Sequence, residues 1–216
     1  MLVEAPSLRS GPVAAPARTR IAADERRHQI LAATHRVVLQ RGLHDLRVAD
    51  VADELAVSTG LIHYHFATKD ELIEAMLRES ADLEVSTMRA ALARVGPPQE
   101  RLELAIETYL PSLRRDAAWM LWIDVWGEAL RDANLRTISE ELDAAWVDLI
   151  AEVVADGVAA GVFRCADPVA TSWRLCALLD GLGLQVVLHH GTMTRAQMHK
   201  HVRVAASLEL GYDLPD

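Results

Sequence analysis

The run Val57-Ser58-Thr59-Gly60-Leu61-Ile62-His63-Tyr64-His65-Phe66-Ala67-Thr68-Lys69-Asp70-Glu71-Leu72, preceded by Val51-Ala52, decides how this chain folds. Val48 to Ala56 reads as a short helix, Ala56 to Ser58 as a tight turn, and Thr59 to His65 as a second short helix. A small residue at Ala52 lets the two helices cross closely, a small residue at Ala56 fits the turn, and Ile62 plugs the contact. Val51, Leu55, Val57, Leu61 or Ile62, and Phe66 supply an apolar seam against a preceding helix, and Ser58 is placed to cap the second one. A helix-turn-helix of this kind presents the N-terminal end of its second helix to the DNA major groove, which is wide enough to admit it.

The same residues resemble the DNA-binding signature of TetR-family transcriptional regulators, a V-S-x-G-x-L-Y-x-x-F-x-x-K-x-x-L pattern, over roughly residues 25 to 72. Three positions depart from it. His63 stands where Tyr is usual, with Tyr64 and His65 following; Ala56 replaces the turn Gly, which predicts either a strained residue or a less tight turn; and Arg47 replaces a Thr or Ser cap, losing a hydroxyl but gaining a group that holds phosphate. The resemblance and the chemistry together nominate Arg47, Ser58, Thr59, Gly60, Leu61, His63, Tyr64, His65 and Lys69 for DNA. Thr59, Gly60 and Leu61 offer a hydroxyl, a gap for close approach and an apolar patch suited to a thymine methyl, while His63 and Tyr64 reach base edges or backbone. Lys69 resembles the family's phosphate-binding lysine, at a helix start that itself favours an anion. Arg18, Arg20, Arg26 and Arg27 either track the DNA backbone or form a solvated charge run.

Outward from this core, every long segment reads as helix. Ile30, Ala33, Thr34, Val37 and Val38 follow the spacing of one buried stripe, predicting a helix from about Asp24 to Gln40 that stops at Gly42. Thr68 and Glu71 form a capping box for a helix reaching about Arg94, closed by Gly96-Pro97-Pro98, and Pro111 breaks the next helix. Further helices are predicted over Ala117 to Arg131, Leu135 to Gly157 or Gly161, Pro168 to His189 behind an Asp167 cap, and Thr194 to Leu210. Strand-like alternation is absent. The expectation is an all-α fold of about nine helices: a flexible arm over 1–20, a three-helix DNA-binding domain over 21–70, and a larger helical ligand-binding and dimerisation domain over 71–216.

Composition narrows the class. The 216 residues are 51% hydrophobic and 25% charged, which excludes a mostly disordered chain. The longest apolar runs, such as Gly181 to Leu188, fall far short of a membrane span, and residues 1–20 lack an apolar signal core, so a cytoplasmic protein is expected. Cys165 and Cys176 form neither a bridge framework nor a metal motif. The net charge of -9 divides into +2 over residues 1–69 and -11 over the rest, so a polyanion meets the front and is repelled by the back.

The rear half carries all five tryptophans. Trp119, Trp122 and Trp126 share one helix face with Tyr109 nearby in sequence, and read either as core or as the wall of a ligand pocket, even an aromatic cage for a cation. Leu121 to Asp132 and Asp180 to Gln185 resemble the ligand domain of the family's BetI-type branch, whose members do not share one ligand. A small, largely apolar effector is expected among these rings. Gly181, Leu184 and Val187 sit on a helix apolar nearly all round; by resemblance it forms a four-helix bundle with the last helix and a partner copy. His189, His190, His199 and His201 read as surface residues rather than a metal site, and Asp124, Glu128 and Arg131 as an exposed ion-pair row. No nucleophile elbow, phosphate loop or zinc pattern is present, and no cofactor is called for. The expected function is a dimeric repressor released from a palindromic operator by a small molecule. The rivals are an all-α enzyme using Asp124 or Glu128 as a base, and an activator without an effector.

Overall fold

The computed structural model describes residues 17–112, 116–189, 191 and 193–212. Among them are nine helices and no strand: α1 (Ala17–Arg41), α2 (Val48–Glu54), α3 (Thr59–His65), α4 (Lys69–Leu92), α5 (Pro98–Tyr109), α6 (Ala117–Ala129), α7 (Ala133–Ala159), α8 (Pro168–Leu188) and α9 (Arg195–Leu210). No described helix is long and apolar enough to cross a membrane.

α1 begins seven residues earlier than the apolar stripe predicts and takes in the last part of the expected arm. Nothing between Pro16 and Gly42 breaks a helix, and Ala and Arg are among the best helix formers. Residues 1–16, the rest of the expected arm, lie outside the described residues. Gly42, at φ +88, ends α1 in the left-handed region. Ile30, Ala33, Val37 and Val38 are buried as their spacing predicts, and the Thr34 hydroxyl donates to the Ile30 carbonyl at 2.8 Å.

The α2–α3 unit forms where expected. Val51, Ala52, Ile62 and Phe66 are buried, so Ile62 rather than Leu61 plugs the crossing. α2 ends two residues early because Ala56 takes a positive φ of 52, and Val57 N–H then returns to the Ala52 carbonyl at 2.9 Å. The Thr68 cap differs in detail from a reciprocal box. Its hydroxyl accepts from Glu71 N–H at 3.0 Å, while Glu71 reaches past it to Ala67 N–H at 2.8 Å.

α7 is the central strut of the larger half, packing against α4, α5, α6 and α8; α1 packs against α2, α4 and α6. α7 runs through Gly157 to Ala159, with Ala160 as its cap and Gly161, at φ +71, turning the chain away. Gly157 serves a different purpose: a Cβ there would run into the Phe163 ring, which folds back under the helix end. Asp116, Asp132, Asp167 and Thr194 cap their helices through side-chain oxygens, as residues of these types do.

Candidate nucleic-acid interface and internal cavity

The front of the molecule presents α3. Thr59, Gly60, His63 and Tyr64 are exposed, Tyr64 at 80%, while Leu61 and His65 are half-buried. Tyr64 and His65 meet edge to face, ring centres 5.1 Å apart. Ser58 caps the helix, its Oγ accepting from Leu61 N–H at 3.3 Å, which occupies that oxygen in the free protein. Arg47 precedes α2 without a side-chain cap bond and is exposed. Lys69 opens α4 and donates from Nζ to the His44 carbonyl at 3.4 Å, a long bond that a phosphate would displace. Arg27 is exposed, with its guanidinium 4.8 Å over the Phe66 ring at the end of α3. Arg36–Glu54 and Arg41–Asp50, each at 2.9 Å, hold α2 to α1. The side chains of Arg18 and Arg20 lie outside the described residues.

Behind this head lies a cavity of about 700 Å³ walled by α1, α4, α6, α7, α8 and the end of α5. Tyr109, Trp119, Trp122 and Trp126 all line it, joined by Trp146 of α7, which sequence spacing did not single out. The rings are locked to one another. Tyr109 stacks edge-on to Trp146 at 4.8 Å and to Trp119 at 6.1 Å, and Trp119 to Trp126 at 6.2 Å. Trp119 Nε1 donates to the Tyr109 carbonyl at 3.0 Å. Its indole rests on Gly183, where any Cβ would collide with the ring. Thus Gly183 admits a tryptophan from its own chain rather than a helix of a partner.

Five carboxylates line the same wall, Glu79, Glu84, Asp116, Asp143 and Asp180, and none belonged to the sequence-based site; Glu79 is paired with His28. Tyr109 Oη donates to Asp180 Oδ1 at 2.6 Å, and Trp146 Nε1 donates to Glu84 Oε1 at 2.9 Å. Burial pushes the Glu84 and Asp180 carboxyls above the ordinary range, against the pull of these bonds. Burial, then repulsion from Asp180 and Glu140, raises Asp143 to about 6. Asp116 also feels burial, but hydrogen bonds from Ser112, Trp119 and Ala118 outweigh it and hold the group low. The lining's basic residues are His35 and Arg36 of α1. Burial and then Arg36 push His35 down, and Arg36 is itself paired with Glu54. The wall is aromatic and anionic, with little inside it to neutralise the charge.

Several expectations are corrected. Asp124 is not in an ion-pair row; its Oδ2 accepts from Leu43 N–H at 3.4 Å, tying α6 to the loop after α1. Arg131 turns to the Gly127 carbonyl instead of Glu128. Neither Asp124 nor Glu128 lines the cavity, so neither is placed as a base for chemistry there. His199 is half-buried, with Nε2 2.7 Å from Glu103 Oε1, and His190 lies outside the described residues. Among the described residues no cluster of His, Cys, Asp and Glu is arranged to hold a metal ion. On the outer face of α8, Gly181 is exposed and Leu184 and Val187 are half-buried. Around them Val169, Trp173 and Leu188 are at least half exposed, as are Val204 and Leu208 of α9.

Comparison with known proteins places this geometry. Residues 30–76 match the model of bacterial regulatory proteins of the tetR family, and residues 98–210 match the BetI-type transcriptional repressor C-terminal domain. The chain is similar to the HTH-type transcriptional regulator BetI of Burkholderia ambifaria, 29% identical over 184 residues covering 80% of this chain and 88% of that one. It is 32% identical over 134 residues, 61% of each chain, to the HTH-type transcriptional activator FasR of Mycolicibacterium smegmatis. Its structure resembles a putative transcriptional regulator from Saccharomonospora viridis in complex with choline: 31% identity, TM-score 0.77, 87% of this chain and 98% of that one.

Proposed function

The chain belongs to the TetR family of DNA-binding transcriptional regulators, with a BetI-type C-terminal domain, and on that premise we propose that it is a dimeric repressor released from its operator by an organic cation. The family is one of regulators, not enzymes. The reading head, residues 21–70, contacts a pseudo-palindromic operator through Thr59, Gly60, Leu61, His63 and Tyr64, with Lys69 and Arg47 on phosphates. Residues 71–216 carry the effector cavity and the twofold interface.

The observation that carries the reading is the composition of the cavity wall. Five aromatic rings and five carboxylates face one space. Ring faces attract a cation electrostatically, and carboxylates held only by neutral donors, as Glu84 is by Trp146 and Asp180 by Tyr109, gain a counter-charge when it enters. This replaces the largely apolar effector expected from the tryptophans alone. The choline bound to the Saccharomonospora relative supports the same chemistry. Coupling has a short path, because α1 of the reading head contributes Leu31, Ala32, His35 and Arg36 to the cavity wall. An occupant that shifts α1 or α6 alters the head's presentation, and by linkage effector and DNA weaken each other.

The exposed apolar face of α8 and α9 supports the dimer, since two half-sites require two heads in fixed register. Leu208, 80% exposed, is the sharper probe than half-buried Leu184. Leu208→Glu is expected to sediment as a folded monomer and to bind the operator far more weakly; a dimer would move the interface elsewhere. The function itself is tested by footprinting DNA upstream of the gene and by tryptophan fluorescence with choline as the probe. Symmetric protection and a saturable quench weakened by Asp180→Asn are expected. Protection without twofold symmetry, or a quench indifferent to Asp180, would refute it.

A further inference from the structure

Resting on the cation reading, we propose that the effector is a cationic amphiphile: an ammonium head seated among the carboxylates, with an apolar chain running along α4 to α1. The size and grading of the cavity carry this. A choline-sized ion fills at most roughly 200 Å³ even if each heavy atom takes a water's share of about 30 Å³, leaving most of the 700 Å³ empty. The cavity follows α4 from Met76 to Ala91, about 22 Å of helix at about 1.5 Å per residue. An occupant that fills it is long.

Its two parts differ in chemistry. Glu84 in the middle of α4 is bonded to Trp146, which stacks on Tyr109, which in turn is bonded to Asp180. That chain of contacts defines the head station. Toward the N-terminal end of α4 the wall changes to Ser80 and Met76, with Leu31 and Ala32 supplied by α1, which packs against α4. Leu83, a large apolar residue left 65% exposed, stands on the same lining. Burial and Arg36 disfavour a charge on His35 there, and the ionic groups beside it have partners. Glu79 is paired with His28 and Arg36 with Glu54. This arm has nothing left to offer a charge and a good deal to offer a hydrocarbon.

The consequence for regulation is specific. A bare ammonium alcohol sits at the head station and does not reach α1; a chain extended from it does. Occupation and release are therefore separable, and the chain is what moves the reading head.

The test uses choline and hexyl-, octyl- and decyltrimethylammonium, kept below their micelle concentrations, with decanol as the uncharged control. Binding is read by tryptophan quenching and release by operator anisotropy on the full-length protein, with helicity followed throughout. Affinity is expected to rise roughly three- to fourfold per methylene, roughly a hundredfold from hexyl to decyl. Release is expected with the long chains and not with choline at saturation. Ala32→Phe, which puts a ring into the arm at an exposed helix position, should cancel the gain from chain length. If saturating choline releases DNA as fully as the decyl compound, the amphiphile is wrong while the cation reading stands. If decanol binds as tightly as decyltrimethylammonium, the cation reading falls and this inference with it. Release accompanied by loss of helicity, or chain-length gain unaffected by Ala32→Phe, would also overturn it.

Discussion

The reading head and the cavity assemble their working side chains in opposite ways. The head draws its groups from one stretch, Arg47 to Lys69, and leaves most of them in solvent on α3 and at the starts of α2 and α4. The cavity draws Glu84, Tyr109, Asp116, the tryptophans, Asp143 and Asp180 from five helices and ties Glu84 to Trp146, Trp146 to Tyr109 and Tyr109 to Asp180 by bonds and ring contacts. A substitution in the head should therefore subtract a contact with DNA and leave the fold alone. In the cavity, the groups proposed to meet the effector also hold the body together, so binding and stability should not be separable by simple truncation.

The largest effect that checks this contrast is Trp146→Ala. Trp146 is 4% exposed, stacks on Tyr109 and donates to Glu84. Truncation should cost about 3 to 5 kcal/mol, since it opens a void and strips a buried carboxylate of its donor. Tyr64→Ala, at a side chain 80% exposed, should change stability by no more than about 0.5 kcal/mol while altering preference among operators. Urea melts of the two variants decide the matter: comparable losses would erase the distinction between the regions.

The same contrast explains what the sequence made legible. The head is local, so spacing alone placed Ala52 and Ile62 in the crossing and Ser58 and Thr68 at the caps. The helix face of Trp119, Trp122 and Trp126 was equally plain. The carboxylates were not, because nothing local marks Asp143 or Asp180 as facing inward; α7 and α8 bring them together over a long stretch of chain. Asp124 misled for the same reason, since its partner is Leu43, a contact at long range that helix spacing does not encode. Gly183 carries a local signal, since a glycine in an apolar helix marks a close approach, but only the fold shows that what approaches is Trp119.

A smaller effect sharpens the electrostatic side. Asp143 is raised to about 6 by burial and by Asp180 and Glu140, so it holds its proton as the pH falls below that value. A protonated Asp143 no longer attracts a cation, and choline affinity should drop about tenfold between about pH 7 and pH 5. Stability should move the other way. A carboxyl whose folded pKa lies above its unfolded one favours folding most when protonated, so the unliganded chain gains stability as pH falls from about 6 toward 4. Asp143→Asn should flatten both trends. An unchanged pH profile in that variant would assign the titration to Glu84 or Asp180, whose carboxyls are also raised.

In the head, Lys69→Ala should remove one phosphate contact. The logarithmic salt slope of operator binding is expected to fall by about one unit per head, roughly a three- to fourfold change across a fourfold rise in salt. Because Lys69 Nζ makes only a 3.4 Å bond to the His44 carbonyl, stability should barely respond. A slope that stays put would mean that Lys69 serves the His44 loop and not DNA.

The smallest effect concerns the turn between α2 and α3, where Ala56 sits at φ 52. A left-handed conformation costs an L-residue about 1 to 2 kcal/mol, and glycine adopts it freely. Replacing Ala with Gly also loosens the unfolded chain, which returns about 0.4 to 1 kcal/mol to the unfolded side. Strain relief is the larger of the two, so Ala56→Gly should stabilise the protein by about 0.5 kcal/mol. Ala56 is exposed and the Cβ fills no gap in the crossing, which Ala52 and Ile62 already close, so no packing is lost. Operator affinity should remain as it was, because the turn keeps its shape. The sign is informative by itself. A destabilised Ala56→Gly would show that the alanine fixes this turn in the unfolded ensemble more than it strains the folded one, and that the head is held by the stiffness of its connection as well as by its seam.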